Sequence, residues 1–267
     1  MKANTTEGGD LDVTAADTQK IEVSILVPVK DEAENIVQLA EEIEEACRGI
    51  NSPRECLWID DGSEDNTREA LKEVTKRYKG HCYIALDKNY GQSAALYTGL
   101  QNCSGRIIVT LDGDGQNDPA DIPVLLDRLQ STGADMVNGK RAKRRDSRIR
   151  RISSRTANSF RNLVTGEQIS DVGCSLRAFK RECLRGVFLF KGMHRFIPTL
   201  ARINGFEKIE EIPVNHRPRQ KGKTKYGIKN RLWVGLIDTL AVSWMKGRGV
   251  LPCTKDSNCP GQKRVYT

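Results

Sequence analysis

Short apolar segments alternate with amphipathic ones through the first half of this 267-residue chain, and this rhythm restricts the fold more than any other feature. β-Branched, apolar runs such as IEVSILVPV (21–29) are typical of buried strands, whereas DEAENIVQLAEEIEEACRG (31–49) has its apolar residues at helical spacing. The alternation predicts an α/β fold with a mainly parallel sheet and helices on both faces. Further strands are predicted at 55–60, 82–86, 106–111 and 135–139. Further helices are predicted at 63–78, with Ser63 as the N-cap, and at 91–103 and 119–132.

Acidic residues follow several of these predicted strands. Ligands of an open parallel sheet bind at the carboxyl ends of its strands, so the acids at 60–61, 87 and 112–114 are expected to share one site. If the strand geometry persists, Asp112 and Asp114 face the same way and both reach one hard cation. Carboxylates select Mg²⁺ or Mn²⁺, and such ions usually share their ligand shell with substrate phosphates.

The Asp112-to-Asp114 stretch also has simpler interpretations. An isolated Asp-x-Asp sequence is most often a solvated turn. An EF-hand is excluded because Asn117 and Pro123 stand where its loop needs glycine and glutamate. A dinucleotide fold is disfavoured because no GxGxxG follows the first strand. The metal-binding interpretation of this stretch is supported only by the motifs around it in the sequence.

The chain is basic, with a formal net charge of +8, which favours an anionic partner. Nine lysines and arginines lie in 140–155 and seven in 217–231. Phosphorylated substrates, an anionic membrane and nucleic acid all fit this sign. Nucleic acid is disfavoured because aromatic residues make up only 6% of the chain and none lies within 140–155, so bases would find no stacking partner there.

The ends of the chain differ in character from its centre. Residues 1–20 are polar, lack the apolar core of a signal peptide and are predicted to be a disordered leader, and 249–267 are predicted to be a polar tail. The eight cysteines form no CxxC pair and are interpreted as reduced thiols of a cytoplasmic protein.

Four motifs at strand–helix junctions carry a resemblance: VPVKDEAENI, DDGSEDNT, NYGQSAALYTGL and LDGDGQNDP. In this order they resemble family 2 glycosyltransferases of GT-A fold, a Rossmann-like architecture. GKRAKRRDSRIRRISSRTANSF, DVGCSLRAF and HRPRQKGKTKYG are similar to the branch that transfers sugars to polyprenyl phosphates, of the dolichol-phosphate mannose synthase type. The resemblance covers about residues 22–246 and implies a catalytic domain at 21–225.

This resemblance implies inverting, metal-dependent transfer of a sugar from a nucleotide-diphosphate sugar to a polyprenyl phosphate. The implied donor-binding residues are Pro28, Val29, Glu32, Asp61, Gln116, Arg219 and Lys225. The implied ligands of Mg²⁺ or Mn²⁺ are Asp112, Asp114 and Gln116, and the implied acceptor-phosphate residues are Arg141, Arg155 and Ser159. Asp112, Asp114, Arg141 and Arg155 are the candidate catalytic residues.

Two features of the resemblance leave alternatives open. Lys30 and Asp31 depart from the tyrosine and asparagine usual in the family, so the nucleotide base is not specified. The sequence does not specify the sugar either. The alternative function is a family 2 glycosyltransferase with a saccharide or other hydroxyl acceptor, which would need a general base and would not need Arg141 and Arg155.

The segment 226–248 is predicted to be an amphipathic helix at a membrane interface. It has a broad apolar face, two tryptophans and flanking lysines and arginines, but no run of 18 apolar residues. We therefore expect a peripheral protein on the cytoplasmic face of a membrane. The sequence leaves open whether a membrane subunit or a second copy of the chain is a partner.

Overall fold

A computed structural model describes residues 20–142, 161–219 and 231–248. Seven strands in these ranges form one sheet of order β3-β2-β1-β4-β6-β5-β7. All neighbouring strands are parallel except β6, which is antiparallel to both β4 and β5. The predicted mainly parallel sheet is therefore confirmed. The strands are β1 Val23–Val29, β2 Arg54–Asp60, β3 His81–Ala85, β4 Ile107–Thr110, β5 Met136–Arg141, β6 Arg177–Lys180 and β7 Ile209–Val214.

Helices cover both faces of the sheet, as predicted. On one face, Ile36, Leu71 and Leu125 pack on alternate residues of β1 such as Val27. On the other face, a second core joins Leu96 and other helical residues to the remaining strand positions. The two cores follow from the alternation of side chains along each buried strand. The helices are α1 Ala33–Ala46, α2 Thr67–Arg77, α3 Gln92–Asn102, α4 Ile122–Thr132, α5 Ile197–Ile203 and α6 Arg231–Arg248.

The predicted helix at 63–78 begins later than expected. It starts at Thr67, and Ser63 is not its N-cap. Instead, the Ser63 hydroxyl accepts a hydrogen bond from the backbone N–H of Asp31 at 2.8 Å. Asp31 has φ of 45°, a left-handed conformation that is costly for a residue other than glycine. Ser63 therefore supports the turn after β1 rather than a helix end.

The C-terminal helix α6 packs one side on the protein body. Val242 is buried in the second core, and Ser243 donates to the carbonyl of Val164 at 2.8 Å. On the opposite side Ile237, Leu240 and Trp244 are 65%, 56% and 65% exposed. Within the described ranges, no helix has the length and hydropathy needed to cross a bilayer. The predicted domain boundaries stay predictions, and 1–19, 226–230 and 249–267 lie outside the described residues.

Candidate active site

The candidate site lies at the edge of the sheet where the parallel strands end. β1 and β2 end side by side, with Val29 opposite Asp60. β4 ends two residues before Asp112, and β5 ends at Arg141. Because β6 is antiparallel, its first residue, Arg177, lies at this same edge. Acidic and basic residues from five strands and the loops after them therefore converge, although they are far apart in sequence.

Asp61, directly after β2, is held by the loop that precedes α3. Its Oδ1 accepts the backbone N–H of Tyr90 and its Oδ2 that of Gly91, both at 2.8 Å. Burial raises the pKa of Asp61, and these two hydrogen bonds partly oppose the rise. Gly62 brings the loops together: its φ is +65°, and an added Cβ would lie 2.3 Å from the carbonyl carbon of Lys88. The Asp61 carboxylate is thus fixed at the edge of the sheet.

Asp112 is connected to Asp61 through the start of α3. Gln92 Nε2 donates to Asp112 Oδ1 at 2.8 Å, and Gln92 directly follows Gly91, whose N–H binds Asp61. Burial raises the pKa of Asp112 to about 6, and the negative charge of Asp114 adds to the rise. The structure thus brings the aspartates after β2 and β4 together, as the sequence predicted.

Asn117 organises the loop that carries these aspartates. Its Oδ1 accepts the backbone N–H of Asp112 at 3.2 Å and the hydroxyl of Ser175 at 2.8 Å. Asn117 also forms an isolated bridge with His216, in the segment that follows β7. Through its side chain and its backbone, this buried residue therefore joins the loop after β4, the loop before β6 and the segment after β7.

The donor set at Asp112 and Asp114 fits a divalent cation that is shared with a substrate. Across residues 20–142, 161–219 and 231–248, no cluster of three His, Cys, Asp or Glu side chains forms a complete metal site. Mg²⁺ commonly binds through one or two carboxylates together with substrate phosphates. Asp112 and Asp114 form such a partial ligand set, because they are close enough for the charge of Asp114 to raise the pKa of Asp112. The predicted ligand Gln116 donates its backbone N–H to Asp114 Oδ1 at 3.1 Å, and its side-chain role stays a prediction.

Arg219 crosses from the segment after β7 to the acidic cluster. Its Nη2 donates to Asp114 Oδ2 at 2.7 Å, and its Nη1 donates to Glu32 Oε1 at 3.2 Å. Glu32 is buried and also accepts from Asn35 Nδ2 at 2.6 Å. Arg219 therefore neutralises two carboxylates from separate motifs.

Arg141, at the end of β5, is paired with Asp171. The guanidinium donates from Nε and Nη2 to the two carboxylate oxygens, each at 2.8 Å, and the Arg141 backbone N–H donates to Oδ2 at 3.1 Å. Bidentate pairing fixes the plane of the guanidinium. Burial dominates the pKa of Asp112, but Arg141 lowers it through its charge, so the two groups interact electrostatically.

Other predicted residues have a structural role or lie outside the described ranges. Val29 is buried and packs against the Asp112-to-Asp114 loop, since a Cβ on Gly113 would lie 2.4 Å from its Cγ1. Pro28 lies within β1, opposite Ile59. The donor-binding roles of both stay predictions. Arg155, Ser159 and Lys225 lie outside the described residues.

Sequence reasoning did not assign roles to Gln92, Asn117 or Arg177. Gln92 and Asn117 lie inside the quoted motifs, so their positions beside the aspartates were the available signal. Arg177 also lies inside a motif, DVGCSLRAF, but the antiparallel strand that carries it was not predicted, so nothing indicated that it lies beside the aspartates.

The described fold is the GT-A fold of glycosyltransferases. It resembles mannosyl-3-phosphoglycerate synthase from Rubrobacter xylanophilus with a TM-score of 0.65 at 15% identity, covering 91% of this chain and 79% of that one. It also resembles glucosyl-3-phosphoglycerate synthase from Mycobacterium tuberculosis, solved with Mn²⁺, UDP-glucose and phosphoglyceric acid. That likeness has a TM-score of 0.64 at 17% identity and covers 83% and 80% of the two chains.

The chain belongs to glycosyl transferase family 2, whose sequence model matches residues 24–188. It is 36% identical over 227 residues to a dodecaprenyl-phosphate galacturonate synthase of Rhizobium johnstonii, covering 84% of this chain and 67% of the relative. It is 39% identical over 206 residues to an undecaprenyl-phosphate 4-deoxy-4-formamido-L-arabinose transferase of Pectobacterium atrosepticum, covering 76% and 62%. The chain thus spans about two thirds of the length of these relatives.

Proposed function

We propose that this chain transfers a sugar from a nucleotide-diphosphate sugar to the phosphate of a polyprenyl phosphate, with inversion at the anomeric carbon. The names of the curated relatives, which are polyprenyl-phosphate sugar synthases and transferases, support this acceptor class. The observation that carries the proposal is the shared sheet edge, where the Asp112–Asp114 pair lies within electrostatic range of Arg141. Such a site suits two phosphate groups, one bound through a cation and one through guanidinium groups.

On the donor side, Asp112 and Asp114 would hold Mg²⁺ or Mn²⁺, which stabilises the negative charge of the leaving nucleoside diphosphate. Arg219 lies beside Asp114 and can turn from the carboxylates to the diphosphate when the donor binds. Its positive charge would then interact most strongly with the leaving group, because negative charge develops there in the transition state. Asp61 would accept a hydrogen bond from the base or the ribose.

On the acceptor side, Arg141 would bind the phosphate of the lipid. A phosphate monoester has a second pKa of about 6, so it is mostly dianionic at neutral pH and attacks without a strong general base. One of its oxygens forms a bond to the anomeric carbon, and the bond from that carbon to the donor diphosphate breaks. Asp171 orients Arg141 through the bidentate pair, so the guanidinium need not be ordered when the acceptor arrives.

Helix α6 is the proposed contact with the membrane that contains the acceptor. Its exposed residues Ile237, Leu240 and Trp244 recur at spacings of three and four and form one apolar stripe. Arg248 lies 5.7 Å from the centre of the Trp244 ring, so a cation adjoins the stripe. An apolar stripe bordered by cations is typical of helices that lie in the interface of an anionic bilayer.

The direct test offers a panel of radiolabelled UDP- and GDP-sugars with undecaprenyl or dolichyl phosphate and Mg²⁺ or Mn²⁺. We expect the label to enter the organic phase in a form released by mild acid, as for a phosphosugar. Asp114→Asn should abolish the product, whereas Asp118→Asn, in the same loop, should retain it because Asp118 instead pairs with Arg217. Label transferred only to saccharides or other hydroxyl acceptors would favour the alternative function and contradict the proposal.

A further inference from the structure

Arg177 is a buried arginine with hydrogen-bond donors that the described residues do not satisfy. It is 2% exposed, and its Nη2 donates to the backbone carbonyls of Val172 and Cys174. Its Nε and Nη1 have no acceptor within the described parts of the chain. A buried donor without an acceptor destabilises a protein, by more when the group is charged, so such a group calls for a functional explanation.

The position of Arg177 relates it to the acceptor side of the cleft. It begins β6, with Thr110 of β4 and Asn138 of β5 as its two neighbours in the sheet. Arg177 therefore lies in the sheet between the strand that leads to Asp112 and the strand that leads to Arg141. Arg219, on the donor side, enters from the segment after β7.

The charges around Arg177 favour an anion as its missing partner. Burial lowers the pKa of Arg177, and the carboxylates of Asp112 and Asp171 partly oppose this, so both lie within electrostatic range. Neither carboxylate accepts a hydrogen bond from Nε or Nη1. Asp171 is already engaged by Arg141. Burial also lowers the pKa of the nearby Arg161 to about 10, and the positive charge of Arg177 contributes.

We propose that Arg177 is a further phosphate-binding residue, whose Nε and Nη1 donate to the acceptor phosphate next to Arg141. This inference rests on the proposed function, because it deepens the acceptor half of that site. Both atoms are covered in this ligand-free chain, so the contact belongs to the acceptor-bound state. A dianionic phosphate offers three oxygens, enough for Arg177 and Arg141 to bind it together.

The test measures the binding of farnesyl phosphate, a short isoprenyl phosphate, by calorimetry, separately from the binding of Mn²⁺–UDP and Mn²⁺–GDP. Arg177→Met keeps the length of the side chain and removes the donors. We expect it to weaken the binding of farnesyl phosphate at least tenfold and to change the affinity for the nucleotides less than twofold. Arg181→Met is the control. Arg181 follows the same strand at the opposite edge, its side chain donates to the carbonyls of Cys103 and Ser104, and its replacement should change neither affinity.

Three outcomes would overturn the inference. Unchanged farnesyl phosphate affinity would mean that a buried water satisfies Arg177. Selective loss of nucleotide binding would assign Arg177 to the donor diphosphate, and equal loss of both would assign it a structural role. If circular dichroism shows that Arg177→Met does not fold, Arg177→Lys is measured instead. It keeps the charge without the planar set of donors and should still selectively weaken the binding of farnesyl phosphate.

The inference and the proposed function fail separately. The calorimetry needs no sugar transfer, so Arg177-dependent binding of farnesyl phosphate by a wild-type protein that forms no lipid product would contradict only the function. Normal transfer to polyprenyl phosphate, with unchanged acceptor affinity in Arg177→Met, would contradict only the inference.

Discussion

Replacing Arg219 with glutamine should tighten the binding of a free divalent cation and weaken the binding of the donor. In the ligand-free chain Arg219 donates to Asp114 and Glu32 and so occupies a carboxylate that the cation needs. A cation that binds without nucleotide must compete with this guanidinium. When the nucleoside diphosphate is present, Arg219 is expected to bind it instead, so the same substitution has the opposite effect.

The magnitude follows from the contact with Asp114. Opposite unit charges about 4 Å apart attract by roughly 4 kcal/mol at an effective dielectric constant of about 20. The Arg219 side chain is 25% exposed, so solvent screening and the entropy of fixing the side chain reduce this. A net cost of about 1–2 kcal/mol remains for displacing Arg219, which corresponds to about a five- to thirty-fold change in Kd.

Mn²⁺ binding followed by electron paramagnetic resonance measures this change without any turnover. Arg219→Gln should lower the Kd for Mn²⁺ alone by about five- to thirty-fold and raise the Kd for UDP or GDP in the presence of Mn²⁺. Arg217→Gln is the matched control, since Arg217 pairs with Glu42 and Asp118, and should leave both constants unchanged. Unchanged or weaker binding of Mn²⁺ alone to Arg219→Gln would refute the competition.

Two further predictions concern Asp112 and α6. Burial raises the pKa of Asp112 to about 6, so the contribution of this carboxyl to stability is fully present below pH 4 and is lost as the pH rises through 6. In urea unfolding without metal, Asp112→Asn should therefore be about 1–2 kcal/mol more stable than wild type at pH 8 and equally stable near pH 4. A stabilisation that does not depend on pH would contradict the ionisation of this carboxyl as its cause. Serine at Ile237, Leu240 and Trp244 together should reduce sedimentation with anionic phosphatidylglycerol vesicles at least tenfold without lowering Tm. The control Val124→Ser, at an exposed apolar residue of α4, should have no effect. Undiminished sedimentation of the triple variant would exclude α6 as the membrane contact.

The proposed donor half of the site could be predicted from sequence because its motifs are local. Each βα unit places its acids directly after a buried strand, so the alternation of apolar and amphipathic segments was enough to locate Asp61 and Asp112. The ends of the helices were harder to place. Ser63 has the chemistry of an N-cap but supports the turn at Asp31 instead, a contact between residues 32 positions apart.

The proposed acceptor half could be predicted only in part because it depends on strand pairing between distant segments. β6 has four residues, too few for a periodic pattern, and begins with a buried charge that local propensity disfavours in a strand interior. The pairing of Arg141 with Asp171 likewise joins two motifs that the sequence gives no reason to connect. Charge density predicted an anion in this region, but not which guanidinium groups face the cleft.

The antiparallel insertion of β6 between β4 and β5 also constrains how the chain folds during its synthesis. β4 and β5 are not neighbours in the sheet, because β6 lies between them and pairs with both. Residues 107–110 and 136–138 therefore cannot form this pairing until residues 177–180 have been synthesised. In a nascent chain that has passed residue 141 but has not reached 177, one edge of β4 and both edges of β5 therefore lack their partner strands, and unpaired edges are templates for association with other chains. Interruption of synthesis in this interval should yield aggregates rather than a soluble half-enzyme able to bind nucleotide.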